Sequence, residues 1–332
     1  MRAVEVSEDR VLRVVELEPP APGPAQAVLE VAYCGICGSD LHFREVPELF
    51  PAGCIPGHEF SGRITALGPG VEGWAAGDRV TVLPFAQCGE CEACLRGEEQ
   101  VCANAVVSGV GLGTGRPGGY AERVTVDARM LFALPDRVDD RAGALTEPLA
   151  VAVRAVACAQ TAHGEPMSVI GAGPIGLLVA LVLAARGYER VTLISRNPAR
   201  AALAAELGLE VVGLEDTAAG EAPACVFECA GTPAAARLAA ELARPLGRIV
   251  LVGLALEPLD LIAAPFLLKE LTLRGVLAYS RADFAGAIEL LASGAIPSER
   301  LISAVLPLED AEAAFKSLTA AGNAQLKVLL AP

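Results

Sequence analysis

Ser168-Val169-Ile170-Gly171-Ala172-Gly173-Pro174-Ile175-Gly176-Leu177-Leu178 is the stretch on which the reading of this chain turns. A short apolar run with β-branched residues stops at a G-x-G-x-x-G, and apolar residues then continue to Arg186. The whole apolar segment from Val169 to Ala185 is shorter than a membrane span and carries glycines and a proline near its start. It reads as a strand, a tight turn and a buried helix. With 34 glycines in 332 residues, such a motif arises in roughly a third of random chains, so its surroundings decide its meaning.

The surroundings repeat the unit. Arg190–Ser195 reads as the next strand and Pro198–Leu207 as a helix. Ala224–Glu228 is a third strand, Ala234–Ala243 a helix, and Arg248–Val252 another strand. Strands alternating with helices predict a parallel sheet with crossover connections. In that setting the glycines permit a tight turn and bring a pyrophosphate close to a helix N-terminus. Gly171, Gly173, Pro174, Ile175 and Gly176 are therefore candidate cofactor contacts. NAD-binding versions carry an acidic residue about 20 positions further on, for the adenine ribose. Here that place holds Ser195-Arg196-Asn197, with Arg200 one helical turn later and no carboxylate. A serine and two arginines suit a 2′-phosphate, so NADP(H) is expected over NAD(H). A solvated helix start is the competing account of the arginines.

Before residue 147 the character differs. Short runs such as Ala27–Val31, Gly62–Leu67 and Asp78–Val82 are separated by Pro/Gly turns, which predicts a barrel-like β domain. After about Ala282 the chain reads as a helix (Phe284–Ser293), short strands, an acidic helix (Glu309–Thr319) and a last strand (Lys327–Leu330), expected to return to that first domain. Two domains result: residues 1–147 with 282–332, and residues 148–281.

Cys88, Cys91, Cys94 and Cys102 are spaced C-x2-C-x2-C-x7-C. With ten cysteines in 332 residues this spacing arises by chance in about 3 of 10,000 chains. Four thiolates satisfy tetrahedral Zn²⁺ and leave no open position, so this site is read as structural. A second constellation is Cys34-Gly35-Ile36-Cys37-Gly38-Ser39-Asp40-Leu41-His42 with Pro56-Gly57-His58-Glu59. Cysteine, histidine and glutamate suit a zinc that keeps a position open for substrate. Cys34 and Cys37 also read as a C-x2-C pair, but no second cysteine pair is left to complete such a site.

Composition narrows the partners. The chain carries 40 acidic against 26 basic side chains, a formal charge of -14. That charge repels phosphate backbones and anionic lipid, so neither nucleic acid nor membrane is expected, and a small-molecule substrate is the default. The start, Met1-Arg2-Ala3-Val4-Glu5, shows no signal-peptide pattern. Clustered thiols in that context point to a cytoplasmic protein.

Taken together, C-G-I-C-G-S-D-L-H, G-H-E, the four-cysteine lobe, Thr146-Glu147-Pro148-Leu149 and G-A-G-P-I-G resemble the zinc-containing medium-chain dehydrogenase/reductase family, in its sorbitol and threonine dehydrogenase branch. Lys269–Gly275 resembles that family's final coenzyme-domain strand. The resemblance covers essentially the whole chain. It implies an α/β fold, a GroES-like β-barrel catalytic domain plus a Rossmann doubly wound sheet. It also implies a catalytic zinc held by Cys37 and His58, with Glu59 and Glu147 as ligands or near neighbours. Asp40 would orient His58, Cys34 would not be a ligand, and Ser39 would pass the substrate proton towards His42 through the cofactor ribose. The implied enzyme holds two zinc ions per chain. It moves a hydride between NADP(H) and a secondary alcohol or its ketone, as a homodimer or homotetramer. Two departures bear on substrate: Phe43 stands where polyol enzymes of the branch carry tyrosine, and Ala278 where they carry arginine. Both remove partners for extra hydroxyls, which argues for a less polar substrate. An NAD(H)-linked polyol, diol or amino-alcohol dehydrogenase is the alternative, and a non-enzymatic NADPH-binding protein on the same fold is the alternative of another class.

Overall fold

The computed structural model describes residues 1–105, 109–113, 115–217, 220–255, 257–259 and 261–332. These fall into two compact units. One comprises Met1–Glu147, Ser280–Ala292 and Pro297–Pro332, the other Pro148–Tyr279 and Ser293–Ile296.

The first unit begins with an antiparallel hairpin of β1 (Arg2–Val6) and β2 (Leu12–Glu16). Its organising strand is β3 (Gln26–Gly35), which buries Ala27, Val28, Leu29, Val31 and Cys34. Antiparallel β4 (Glu59–Leu67) runs along nearly all of it, and β5 (Arg79–Val82) pairs with β4. Then β6 (Arg123–Asp127) pairs with the first half of β3, and β7 (Leu131–Ala133) with β5. The β3–β4 register shifts twice, at Val28/Leu29 with the extra residue on β4 and at Val31/Tyr33 with it on β3, irregularities of the kind that sharpen local twist. Leu29, Ile64, Val80, Phe60 and Tyr120 meet in one buried core, each large side chain contributing about 1.5–3 kcal/mol by leaving water.

The second unit holds six parallel strands: β8 (Met167–Ile170), β9 (Val191–Ile194), β10 (Glu210–Val212), β11 (Cys225–Glu228), β12 (Arg248–Leu251) and β13 (Thr272–Gly275). Their order is β10-β9-β8-β11-β12-β13, so the winding reverses between β8 and β11. That reversal is the switch point where open α/β sheets bind ligands. Helices Pro174–Ala185, Pro198–Glu206 and Pro233–Leu242 each start with proline, which fits a first turn because the missing N–H has no partner to lose there. Asn197 and Thr232 cap the latter two through their side-chain oxygens. The late segment carries the sheet's last strand in its second half. Lys269 ends the helix Ala263–Lys269, and Glu270 takes a left-handed conformation (φ 49°). Pairing begins only at Thr272, with all four β13 residues exposed at the sheet edge.

In the tail, helix Arg281–Ser293 precedes β14 (Ile302–Pro307), and the acidic helix runs over Ala311–Thr319 after a short 3-10 turn. The last strand, β15 (Lys327–Ala331), lies parallel to β14 and antiparallel to the end of β3, opposing Leu329 to Gly35 and Leu330 to Cys34. Among the described residues no helix is long and apolar enough to cross a membrane.

Candidate active site and metal centres

The end of β3 launches the short helix Gly38–Phe43. Cys37 takes extended backbone (φ -88°, ψ 152°) as its N-cap, and its N–H donates to Asp40 Oδ2 at 3.0 Å. This reciprocal cap places Asp40 in the interior, fully buried, with Ser39 half-buried and His42 exposed. Glu59 begins β4 opposite Gly35, so His58 and Glu59 arrive beside Cys37 by strand pairing. Ligand atoms of Cys37, His58 and Glu59 lie within 4.8 Å of one another. His58 Nδ1 faces Asp40 Oδ1 at 3.4 Å, which leaves Nε2 as the ring nitrogen for an ion. Burial works against a charged imidazole, yet the Asp40 carboxylate and the Cys37 thiolate outweigh it and hold its pKa well above the usual histidine value. Sulfur, nitrogen and oxygen donors gathered around a buried carboxylate are a donor set that fits zinc.

Glu59 is not free to serve the site alone. Both its oxygens accept from Lys327 Nζ, at 2.7 and 2.6 Å, and the pair is almost entirely buried. Lys327 also donates to the carbonyl of Ile36 at 3.1 Å. Burial lowers the lysine pKa, but Glu59, then Cys37 and Glu147, raise it above its ordinary value. Glu147 is buried in the first turn of the helix Thr146–Ala159, outside the 4.8 Å group and close enough to bear on Lys327. Cys34 is also outside that group, enclosed in the core with its thiol pushed up by burial. Phe43 packs edge-on against Phe50 (centroids 5.9 Å, 76°), so core packing accounts for its ring. Ala278 is half-buried beyond the end of β13, outside any strand. Lys327 carries a sequence signal of its own: a lone cation in the apolar run Lys327–Leu330 demands a buried partner.

The cysteine lobe is built locally. Cys91 caps the short helix Glu92–Leu95, and Cys102 follows a 3-10 turn. Sγ–Sγ separations are 4.0 Å for Cys88–Cys94 and 3.6 Å for Cys88–Cys102. A tetrahedron with Zn–S bonds of about 2.3 Å has edges of about 3.8 Å, so the sulfurs already stand at zinc spacing and far beyond disulfide length. Backbone N–H groups point at the sulfurs, Cys91 to Cys88 at 3.3 Å and Cys88 to Cys102 at 3.4 Å. The N–H groups of Cys94 and Ala103 bring the Cys91 thiol down to about 6, whereas burial pushes Cys94 up to about 12, so without an ion the cluster shares its thiolate charge unevenly.

In the second unit the glycine turn follows β8. Gly171 adopts φ +105°, a conformation L side chains rarely adopt. A Cβ on Gly176 would run into the carbonyl oxygen of Gly171, so the helix can approach only without one. Beside this turn lies a cavity of about 390 Å³, lined by Gly171, Ile194, Arg196, Thr232, Arg237 and Leu238 among others. Its walls follow β8 and β11, the strands flanking the reversal, and the neighbouring β9. Arg200 is half-buried, its guanidinium about 3.8 Å from where a Cβ on Gly173 would stand. Ser195 is less available than its position suggests, because its hydroxyl accepts from the Asn197 N–H at 3.2 Å. Arg237 was not anticipated, since only the fold brings its helix face to the end of β9.

A cysteine–histidine–glutamate cluster in one unit and a glycine-turn cavity at a sheet reversal in the other define a metal- and nucleotide-using oxidoreductase. Comparison with known proteins agrees. The family model described as "Alcohol dehydrogenase GroES-like domain" matches residues 23–136, and "Zinc-binding dehydrogenase" matches residues 174–293. A 2-dehydro-3-deoxy-L-galactonate 5-dehydrogenase of Pseudoalteromonas atlantica is 37% identical, over 98% of this chain and 96% of its own length. Two solved structures superpose with a TM-score of 0.91, each covering 100% of this chain and 99% of theirs. One is an alcohol dehydrogenase of Escherichia coli CFT073 complexed with NADH, 29% identical; the other is a zinc-binding dehydrogenase of Sinorhizobium meliloti 1021 bound to NADP, 30% identical. The chain is a member of the zinc-containing medium-chain dehydrogenase/reductase family, with a GroES-like domain and a Rossmann-type parallel sheet, and is an alcohol dehydrogenase acting on small molecules.

Proposed function

We propose that this enzyme is a zinc-dependent oxidoreductase that transfers a hydride between NADP(H) and a secondary alcohol or its ketone. The observation that carries the reading is the convergence of Cys37, His58 and Glu59 within 4.8 Å, backed by the buried Asp40. Cys37 and His58 would hold one zinc, with Glu59 and Glu147 as its acidic neighbours, and the lobe of Cys88, Cys91, Cys94 and Cys102 a second, structural one. When bound, the zinc supplies Lewis acidity to the substrate oxygen, and the nicotinamide supplies the hydride chemistry. Asp40 fixes the ring of His58. Ser39 receives the substrate proton and His42, one helical turn on and exposed, releases it to solvent. Lys327, ion-paired to Glu59 and within electrostatic reach of Glu147, tempers the negative charge of both carboxylates.

Support for NADP(H) comes from Arg196 and Arg237 in the cavity wall, against one carboxylate there, Glu241, and from Arg200 beside the glycine turn, cations suited to a 2′-phosphate. Arg196→Ala is expected to raise the KM for NADP⁺ about tenfold, roughly one charge-assisted contact, and to leave that for NAD⁺ unchanged. A second reading is NAD(H)-linked oxidation of a polyol or diol. It is favoured by the sugar-acid dehydrogenase relative and by a 32% identical (R,R)-butanediol dehydrogenase of Bacillus subtilis. Self-association as a homodimer or homotetramer is supported by the exposed outer edge of β13, which pairs with no further strand among the described residues and is flanked by Leu267, Leu268 and Leu277. The ten unpaired cysteines support a cytoplasmic setting.

The deciding experiment measures zinc per chain, then nicotinamide reduction over a panel of secondary alcohols, diols and polyols with each cofactor. Two zinc ions, NADP⁺ and an apolar secondary alcohol sustain the proposal. Preference for NAD⁺ and a polyol replaces it with the second reading. One zinc per chain, held by the cysteine lobe, would overturn the reading of Cys37, His58 and Glu59 as a zinc site.

A further inference from the structure

Tyr120 is one of the largest fully buried side chains of the first unit. Its ring and its hydroxyl do separate things. The ring is held by packing: it stands edge-on to Phe315 (centroids 6.3 Å, 85°) and against Gly57, where a Cβ would run into it and into Cys34 Sγ. A phenylalanine would fill the same space. The hydroxyl instead reaches Asp40 Oδ2 at 2.6 Å, with the carbonyl of Gly35 3.5 Å away.

That contact matters because of how Asp40 divides its oxygens. Oδ2 accepts two donors, the Cys37 N–H at 3.0 Å and the Tyr120 O–H at 2.6 Å. Oδ1 is turned to His58 Nδ1 at 3.4 Å, an ion-pair approach in which neither buried atom makes a hydrogen bond. Two donors on one oxygen pin the rotation of the carboxylate. Without the phenol, a single N–H would hold it, and the plane could turn away from the imidazole.

We propose that Tyr120 is a positioning residue for the Cys37–His58 metal centre, acting through Asp40 to fix the orientation of the His58 ring. The inference rests on reading Cys37, His58 and Glu59 as a zinc site. Burial and the Asp40 charge keep the phenol protonated, hence a donor. Outer partners of a metal-ligating histidine typically change metal affinity 10- to 100-fold, and a group one bond further out belongs at the low end.

The test compares the wild-type holoenzyme with Tyr120→Phe, which removes one oxygen and keeps the ring. Zinc content of the wild type is measured first. A value of one per chain, held by the cysteine lobe, would overturn the zinc-site reading and this inference with it. With two present, Y120F is expected to release the second zinc to a chelator about tenfold more readily, while the lobe keeps its own. Its cobalt-substituted form should show a shifted visible band. Adding Y120F to Asp40→Asn should cost little further zinc affinity, because both act along one line. Thermal unfolding of the metal-free protein separates this from packing, since a structural role would lower the melting point and leave the cobalt band unmoved. Zinc retention and cobalt spectrum equal to wild type would overturn the proposal. Should Y120F fail to fold, 3-fluorotyrosine at position 120, a stronger donor of nearly the same shape, should tighten zinc retention; no change would overturn it.

Discussion

The cysteine lobe and the Cys37–His58–Glu59 cluster, on the function proposed above, are two answers to holding an ion. The lobe takes all four donors from one stretch of fifteen residues, near the surface, and borrows support from its own backbone N–H groups. The buried centre takes donors from the ends of β3 and β4, and depends on Asp40, Tyr120 and Lys327 behind them. A closed site needs only local spacing. A site with donors to spare for chemistry needs the fold to supply the charge balance that a fourth thiolate would otherwise provide.

The contrast can be broken most violently at His58. His58→Asn is expected to remove one zinc of two and lower kcat/KM by about three orders of magnitude, the value of several kcal/mol of Lewis-acid stabilisation. The lobe zinc and the circular dichroism spectrum should not change. Loss of both ions would mean that the two sites are coupled. Lys327→Met comes next. Removing one partner of a buried ion pair should cost about 3–5 kcal/mol in urea unfolding, and adding Glu59→Gln should restore most of it. An additive double variant would mean that the charges do not compensate one another. The mildest change is Cys94→Ser in the lobe. It should lose the other zinc and open residues 88–102 to proteolysis, while kcat/KM stays within about threefold of wild type, as expected of local unfolding.

The same contrast explains what could be read from sequence. The glycine turn after β8 and the four-cysteine spacing are local, so the residues that make them lie side by side in the chain. Cys37, His58 and Glu59 were legible as residue types suited to zinc, but only strand pairing of Glu59 with Gly35 sets them together. Tyr120 and Arg237 left no trace in local pattern, because what defines them is a partner 80 residues away or a helix face turned to a distant strand end. The Lys269–Gly275 segment, matched by resemblance to the family's final coenzyme-domain strand, holds that strand over Thr272–Gly275, with the left-handed Glu270 separating it from the helix before. Apolar periodicity is blind to such a junction.

The pairing of β15 with β3 has a consequence for the order of assembly. Lys327 bonds to Ile36 across 291 positions and to Glu59 across 268. During synthesis, the lobe can close as soon as residues 88–102 have left the ribosome, whereas Glu59 must wait for nearly the whole chain before its counter-charge exists. Until then a carboxylate destined for the interior has reason to stay in water. Loading of the buried centre would thus be a late event in biogenesis, following folding instead of driving it.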